Sequence, residues 1–322
     1  MAQGSSQSAL SDVDLFKVIT PHLLESVRKI HLPWPEDEPI DFTAVIRQYF
    51  EGDPNTAPQF YDLTFERALK PISTIGIENM PDLMQFLPPV EAKDFPAKAL
   101  GLLLLLDQAP RALLTGLNQR WIYSYFDALA IKLTRQLYAL PHAQRPDSID
   151  RLMTQGWGFD YSIIARIWFV TPLVHSESLE DQNLQTAVSE EIRTLVENHV
   201  GRTDPYRSTV DKDSKDIYAF PRIALNPPTE DDTQIDDFIF WMLRLLRVHT
   251  PVVRTFGHYP YRNNSVGRIS TKEEIQYAED TDYFSMLTDD KAVKRIREDV
   301  EAGIWTPLQD EKRLADLEAK GA

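Results

Sequence analysis

One loop near residue 260 concentrates the side chains with the clearest capacity for chemistry. Its candidate ligand-binding and catalytic residues are Arg254, His258, Tyr261, Arg262, Asn263 and Arg268. Loops held between rigid helices commonly carry binding and catalytic groups. The arginines suit a carboxylate or phosphate group on a ligand, or internal carboxylates such as Glu177 and Asp181. The sequence leaves both options open.

A second candidate pair is Asp107 and Arg111, which are four residues apart and would face each other on a helix. Pro110 lies between them and predicts a kink or the end of the helix. Either the buried helix delivers the aspartate and the arginine to a binding site, or the two form an ion pair that braces a turn. Removal of one partner of a buried pair costs about 3–5 kcal/mol in both cases.

A third cluster follows the buried run 163–170 and contains His175, Glu177, Asp181 and Gln182. A histidine beside a carboxylate is a credible general base, because its pKa lies near neutrality, although the pair is also a common structural motif. The spacing of Ser178 and Asp181 matches a helix capping box. We therefore expect Asp181 to be engaged with the backbone, which leaves His175, Glu177 and Gln182 for a ligand.

Composition excludes several classes of function. The formal net charge of −15 disfavours nucleic acid and anionic membrane surfaces, since no basic stripe is visible. The chain has no cysteine, no histidine pair at metal-ligand spacing and no glycine-rich phosphate loop, so no metal or other cofactor is predicted. The N-terminus lacks a secretory signal, and the apolar run 99–106 is too short to span a membrane. These features predict a cytoplasmic protein of undetermined oligomeric state.

Apolar spacing of the helical type recurs along the chain, whereas strand patterns are nearly absent. Helices are predicted over 97–108, 117–140, 178–199, 235–256, 271–283 and 291–302. The expected fold is all-α, with short connections that favour a bundle or a stack of antiparallel helical hairpins. The predicted organisation is an N-terminal extension and linker (1–40), a helical domain (41–285) and a C-terminal helical tail (286–322). Residues 201–233 are predicted to form a surface insertion, because they lack periodicity.

The three clusters together resemble domain-of-unknown-function family 924, a group in the tetratricopeptide-like helical superfamily. The resemblance rests on residues 44–50, 106–111, 175–177, 181–182, 256–263 and 267–274, and it extends over about 41–285. It implies a stack of helical hairpins and no established activity. This chain departs from the family pattern at Ala112, where asparagine is usual, at His258, where arginine is usual, and at Tyr261, where histidine is usual.

The clusters and the resemblance favour a cofactor-independent enzyme that catalyses isomerisation, cyclisation or a pericyclic closure of a small, largely apolar molecule. His175 would act as acid and base, Arg254, Arg262 and Tyr261 would bind or polarise an oxygen, and Asp181 or Glu177 would orient them. Several aromatic residues could line an apolar pocket or simply form the core: Trp157, Phe159, Tyr161, Trp168, Phe238, Phe240 and Trp241. The alternatives are a helical scaffold that binds a peptide or protein partner, and a protein that binds a metabolite without chemistry.

Overall fold

A computed structural model describes residues 13–52, 56–228 and 232–310, and within these ranges the chain contains helices and no strand. The predicted all-α fold is therefore confirmed. In the same ranges, no helix combines the length and the apolar character that crossing a membrane requires.

The first part of the chain forms five α-helices: α1 (Leu15–Val18), α2 (Pro21–His31), α3 (Phe42–Ile46), α4 (Thr56–Phe60) and α5 (Lys70–Ser73). The π-helices Arg47–Gly52 and Tyr61–Leu69 extend α3 and α4, and two 3₁₀ turns follow at Ile77–Asn79 and Leu83–Phe86. Asp14, Thr20 and Asp41 cap α1, α2 and α3 through their side-chain oxygens. The proline-rich segment 32–39 contains no helix.

Helix α6 (Phe95–Leu113) runs through the core, and its apolar residues are almost completely buried. Helix α2 packs against it closely at Gly101, where a Cβ atom would lie 2.1 Å from the carbonyl oxygen of Leu24. Residues 21–31 therefore share the core of the helices that follow. Pro110 does not end α6, because the helix continues past it to Leu113.

The middle of the chain forms α7 (Gln119–Trp121), the π-helix Ile122–Phe126, α8 (Asp127–Tyr138), α9 (Ile149–Thr154), α10 (Phe159–Val174) and α11 (Leu179–Val200). Helix α10 is buried over nearly its whole length, as its continuous apolar run predicts. Helices α10 and α11 are joined by four residues and pack against each other as a hairpin. Short 3₁₀ turns lie at Gly116–Asn118 and His142–Gln144.

The segment 201–233 is more than a surface insertion. It contains the 3₁₀ turn Pro205–Thr209, α12 (Val210–Asp213) and α13 (Ala219–Ala224). Asp213 is fully buried and pairs with Arg244 and Arg247 at 2.9 and 2.7 Å. Periodicity fails to reveal this packing because the helices of the segment are only four to six residues long.

The last part of the chain forms α14 (Ile235–Arg247), α15 (Thr250–Phe256), α16 (Asn263–Val266), α17 (Lys272–Asp280) and α18 (Asp290–Ala302), with a 3₁₀ turn at Pro260–Arg262. The single helix predicted over 235–256 is divided at Val248 and His249, two residues before Pro251. Gly257 ends α15 with φ of 76°, the left-handed conformation that glycine adopts without strain. A capping box formed by Thr271 and Glu274 starts α17.

Candidate functional site

The centre of the helical assembly contains a cavity of about 570 Å³. Its walls come from the N-terminal helices, from α6, α10 and α14, from residues 119–123 and from the 201–233 segment. The lining side chains include His31, Tyr49, Phe60, Gln108, Arg111, Tyr123, Trp168, His175, Phe220, His249 and Tyr261. Ala112, Thr115 and Ser285 also line the cavity and are exposed, so they mark its opening to solvent.

The three π-helices found among the described residues adjoin this cavity. Gln48, Tyr49 and Phe50 are consecutive residues of the first, and all three line the cavity. Phe60 directly precedes the second, while Ile122 and Tyr123 begin the third. The wider turn of a π-helix changes which side chains share a face, and such segments are frequent at functional sites.

A charged cluster of Asp107, Arg111, Asp127 and His175 forms one side of the cavity. His175 Nδ1 lies 2.7 Å from Asp107 Oδ1. The Arg111 guanidinium lies between the two carboxylates, with Nη1 3.2 Å from Asp107 Oδ1 and 2.8 Å from Asp127 Oδ1. The predicted ion pair of Asp107 and Arg111 is thus present, and it is extended by an aspartate and a histidine from α8 and the end of α10.

The charges of the cluster fix the protonation of His175. Burial alone would raise the pKa of the Asp107 carboxyl, but Arg111 and His175 outweigh it and hold that pKa well below its usual range. Burial and the positive charge of Arg111 lower the pKa of His175, despite the nearby Asp107 carboxylate. His175 is therefore a neutral imidazole at pH 7. Because an ionised carboxylate only accepts hydrogen bonds, the His175 proton resides on Nδ1 and the lone pair on Nε2.

A buried amide and a buried hydroxyl fix the backbone that carries His175. His175 caps the C-terminus of α10, where the last carbonyl groups lack partners within the helix. Gln182 Nε2 donates to the carbonyl oxygens of Val174 and Ser176 at 2.9 and 2.8 Å, and the Tyr259 hydroxyl donates to Val174 at 2.5 Å. Gln182, a predicted ligand-binding residue, thus positions the end of α10 and does not line the cavity.

In the loop 257–268, Tyr261 lines the cavity and Arg262 lies behind it. Arg262 Nε donates to the Tyr261 hydroxyl at 3.4 Å, and the guanidinium carbon lies 4.5 and 4.8 Å from the ring centres of Tyr259 and Tyr123. Its nearest carboxylate is Asp127, at 3.6 Å. Arg262 is therefore a buried cation held by aromatic rings, and it reaches the cavity through Tyr261.

Glu177 joins this loop to the end of α10. Its carboxylate accepts hydrogen bonds from the backbone N–H of Tyr259 at 3.1 Å and from Arg268 Nη2 at 3.0 Å. Arg268 also donates to Asn263 Oδ1 at 3.0 Å. These three predicted site residues (Glu177, Asn263 and Arg268) brace the loop that presents Tyr261.

Three further predicted residues lie away from the cavity. Asp181 accepts two hydrogen bonds from Arg135, at 2.7 and 2.5 Å, and another from the Ser176 hydroxyl. Arg254 is exposed and donates to the backbone oxygen of Ser214, while His258 lies 2.5 Å from Glu274. The capping box expected at Ser178 and Asp181 is wrong, because the Ser178 side chain makes no capping bond and Asp181 is engaged by Arg135.

The sequence analysis missed an aromatic wall formed by His31, Tyr49, Phe60 and Trp168, of which only Trp168 was a candidate. The His31 ring centre lies 4.4, 4.9 and 5.9 Å from those of Trp168, Tyr49 and Phe60, respectively. One signal was present, because His31 follows Leu24 and Val27 at helical spacing and so continues the buried face of α2. No comparable signal marked Asp127 as the partner of Arg111.

Asp107, Asp127 and His175 each offer an atom within 4.8 Å of the others, a spacing that a metal ion could use. The Arg111 guanidinium already contacts both carboxylates, and His175 Nδ1 is engaged with Asp107. A divalent cation would have to displace a buried arginine from both of its carboxylate partners. These residues therefore fit an ion pair network better than a metal centre.

Comparison with known proteins gives one result on family membership. The family model described as "Bacterial protein of unknown function (DUF924)" matches residues 84–282, which is more than half of the chain. The match contains the whole charged cluster and the loop 257–268, but it excludes His31, Tyr49 and Phe60. No curated protein and no solved structure matches the chain significantly.

Proposed function

The chain belongs to the DUF924 family, and from this premise we propose that it is a cofactor-independent enzyme that isomerises or cyclises a small, largely apolar molecule. The observation that carries the proposal is the neutral His175 in the wall of an aromatic cavity, with Nδ1 held by Asp107 at 2.7 Å. A carboxylate that holds one imidazole nitrogen leaves the other as a base of fixed direction. His175 Nε2 makes no hydrogen bond with any described residue.

In the proposed reaction, His175 Nε2 removes a proton from a carbon made acidic by a neighbouring carbonyl group. The electron pair moves to the carbonyl oxygen and forms an enolate. The imidazolium then returns the proton to a different carbon, which yields an isomer, or the enolate closes onto an electrophilic carbon of the same molecule, with His175 protonating the product. No oxidant or second substrate is required, and substrate and product have the same mass.

The cavity offers donors for the oxygen that gains charge. The Tyr261 hydroxyl accepts from Arg262, so its own proton remains available for a substrate oxygen. Arg111 also lines the cavity, although its charge is balanced by Asp107 and Asp127. Arg262 then acts as a positioning residue for Tyr261. Because the charges of the cluster are largely compensated, the cavity favours a neutral substrate.

Two departures from the family pattern support a substrate particular to this chain. Tyr261 lines the cavity and Ala112 lies at its opening, whereas the third departure, His258, lies outside. The same cavity would also serve a protein that binds a metabolite without converting it. Size and shape favour a small molecule over a peptide, because most lining residues are buried or half-buried.

The test follows molecules that change structure without changing mass. The protein is incubated with a small-molecule extract of its host in H₂O and in D₂O, and the extract is analysed by liquid chromatography and mass spectrometry. We expect one component to decrease while another of identical mass appears at a different retention time. Proton return from His175 would add one deuterium to the product in D₂O.

His175→Gln should abolish this conversion, and His142→Gln, which alters an exposed histidine, should leave it intact. Retention of a component by the wild-type protein without conversion would favour the metabolite-binding function. Full conversion by His175→Gln would contradict the proposed role of His175.

A further inference from the structure

His31 is a buried polar residue in a place where an aromatic hydrocarbon would pack equally well. It is 4% exposed, lines the cavity and is surrounded by Tyr49, Phe60 and Trp168. Neither ring nitrogen makes a hydrogen bond with a described residue. An unpaired buried polar group destabilises a protein by about 1–3 kcal/mol, so a phenylalanine would avoid a cost that the histidine incurs.

The position of His31 is well fixed. Its backbone oxygen accepts a hydrogen bond from the Tyr49 hydroxyl and another from Gln48 Nε2, both at 2.7 Å. These contacts satisfy the end of α2 and hold the residue against the cavity. The ring therefore has a defined position, although neither nitrogen is hydrogen-bonded to a described residue.

Burial holds the imidazole neutral, since it lowers the pKa of His31 to about 3 against a small opposing effect of Asp107. A neutral imidazole has one donor and one acceptor nitrogen, and it can pair with a neutral hydroxyl or carbonyl oxygen. An anion or a cation would receive no charge compensation from it.

From this arrangement we propose that His31 is a substrate-binding residue that recognises a hydroxyl group on an otherwise apolar, aromatic or polyene molecule. A hydroxyl group both donates and accepts, so it can pair with either imidazole nitrogen. The ring nitrogens are themselves buried, and contact requires rotation of the ring about its Cβ–Cγ bond, a torsion with broad energy wells. The inference deepens the proposed function by naming the substrate class of the same cavity.

His31, Tyr49 and Phe60 all lie outside residues 84–282, the part matched by the family model, whereas Asp107, Arg111 and His175 lie within it. The reacting group and the recognition group thus come from different parts of the chain. His31 selects the substrate of this protein and takes no part in the proton transfer at His175.

The experiment uses two probes of similar shape, 2-naphthol and 2-methylnaphthalene, and the full-length protein with ¹⁵N-labelled histidine. We expect 2-naphthol to bind about tenfold more tightly, the equivalent of one net hydrogen bond. We also expect it to shift the imidazole ¹⁵N resonances of His31. His31→Phe should abolish the preference, His31→Gln should retain part of it, and His22→Gln, at an exposed position of α2, should leave it unchanged.

Equal affinity of the two probes for the wild-type protein, or an undiminished preference in His31→Phe, would overturn the inference. If His31→Phe fails to fold, the ¹⁵N shifts of the wild-type protein decide alone, and their absence counts against the proposal. Binding is measured without turnover, so the preference should persist in His175→Gln. A hydroxyl preference without isomer formation would refute the proposed reaction alone, and isomer formation without the preference would refute the role of His31 alone.

Discussion

The two sides of the cavity differ in whether their polar side chains are paired. In the charged cluster, each ionised side chain faces an opposite charge, and Arg111 alone contacts two carboxylates. In the aromatic wall, His31 lies among three rings, and neither of its nitrogens is hydrogen-bonded to a described residue. The charges of the cluster are paired without a ligand, whereas the wall contains a polar ring that a ligand could satisfy.

This contrast separates chemistry from recognition. A base must have its protonation and direction fixed before substrate arrives, and the Asp107 carboxylate provides both for His175. A recognition group gains selectivity when its hydrogen bond forms only with the correct ligand. The segment matched by the family model contains the base and the carboxylate that fixes it. The preceding helices contribute most of the aromatic wall, which carries the recognition group.

The largest effect should follow from disturbing the base. Asp107→Asn replaces the fixed acceptor with an amide that can also donate, so His175 loses its defined tautomer. We expect turnover of the identified isomer pair to fall by about 10²–10⁴-fold, the usual contribution of general acid–base catalysis. The pH midpoint of the residual activity should move to lower pH, because the Asp107 charge raises the pKa of His175.

A cycle of variants tests whether Asp107 acts through His175. Asp107→Asn, His175→Gln and the double variant should lose similar activity, since residues that act as one unit are not additive. Asp107 would have only a structural role if the activity loss of the double variant equalled the product of the two single losses. The same would follow if Asp107→Asn left the pH profile unchanged.

Much of the cluster could be predicted because its signals are local. The spacing of Asp107 and Arg111 indicates their contact, and the apolar run that precedes His175 indicates a buried helix ending there. Contacts between residues that are distant in sequence could not be predicted in this way. Asp127 reaches Arg111 and Arg262, and Arg135 reaches Asp181, only because α8 packs beside α6 and α10.

The aromatic wall was less predictable for a related reason. Its members lie on α2, the first π-helix, α4 and α10, which share no sequence motif. Helical periodicity assigns Tyr49 to a buried face, and it cannot tell a packed core from the wall of a cavity. The π-helix also brings Gln48 and Phe50 to the same cavity as Tyr49, which α-helical spacing does not anticipate.

The second prediction tests the completeness of the charged cluster. Asp127→Asn keeps the shape of the side chain but removes the carboxylate that Arg111 and Arg262 share. We expect a loss of about 3–5 kcal/mol in the free energy of unfolding, measured by urea denaturation, because the buried Arg262 and the half-buried Arg111 lose the negative charge that they share. Asp150→Asn, at an exposed position, is the matched control and should change stability by less than about 0.5 kcal/mol. A loss as small as the control's would mean that Glu177 and Asp107 suffice for both arginines.

The smallest effect concerns the pH dependence of stability, and it comes from the aromatic wall. Burial lowers the pKa of His31 and of His249 to about 3, so the unfolded chain takes up these protons near pH 6.5 while the folded chain does not. Stability should therefore fall as pH decreases from 6.5, by about 1.4 kcal/mol per pH unit for each such histidine. His31→Phe removes one of these protons, and the slope between pH 6.5 and 5 should decrease by that amount.

At pH 7 the same variant should be at least as stable as the wild-type protein, because the phenyl ring fills the aromatic wall without an unpaired nitrogen. Urea denaturation at several pH values measures both quantities, with His22→Gln as the exposed control on α2. An unchanged slope together with a clear loss at pH 7 would mean that His31 has a polar partner in the folded protein. The contrast between a cluster with paired charges and a wall with an unpaired imidazole would then fail, since His31 would already have a hydrogen-bond partner before any ligand binds.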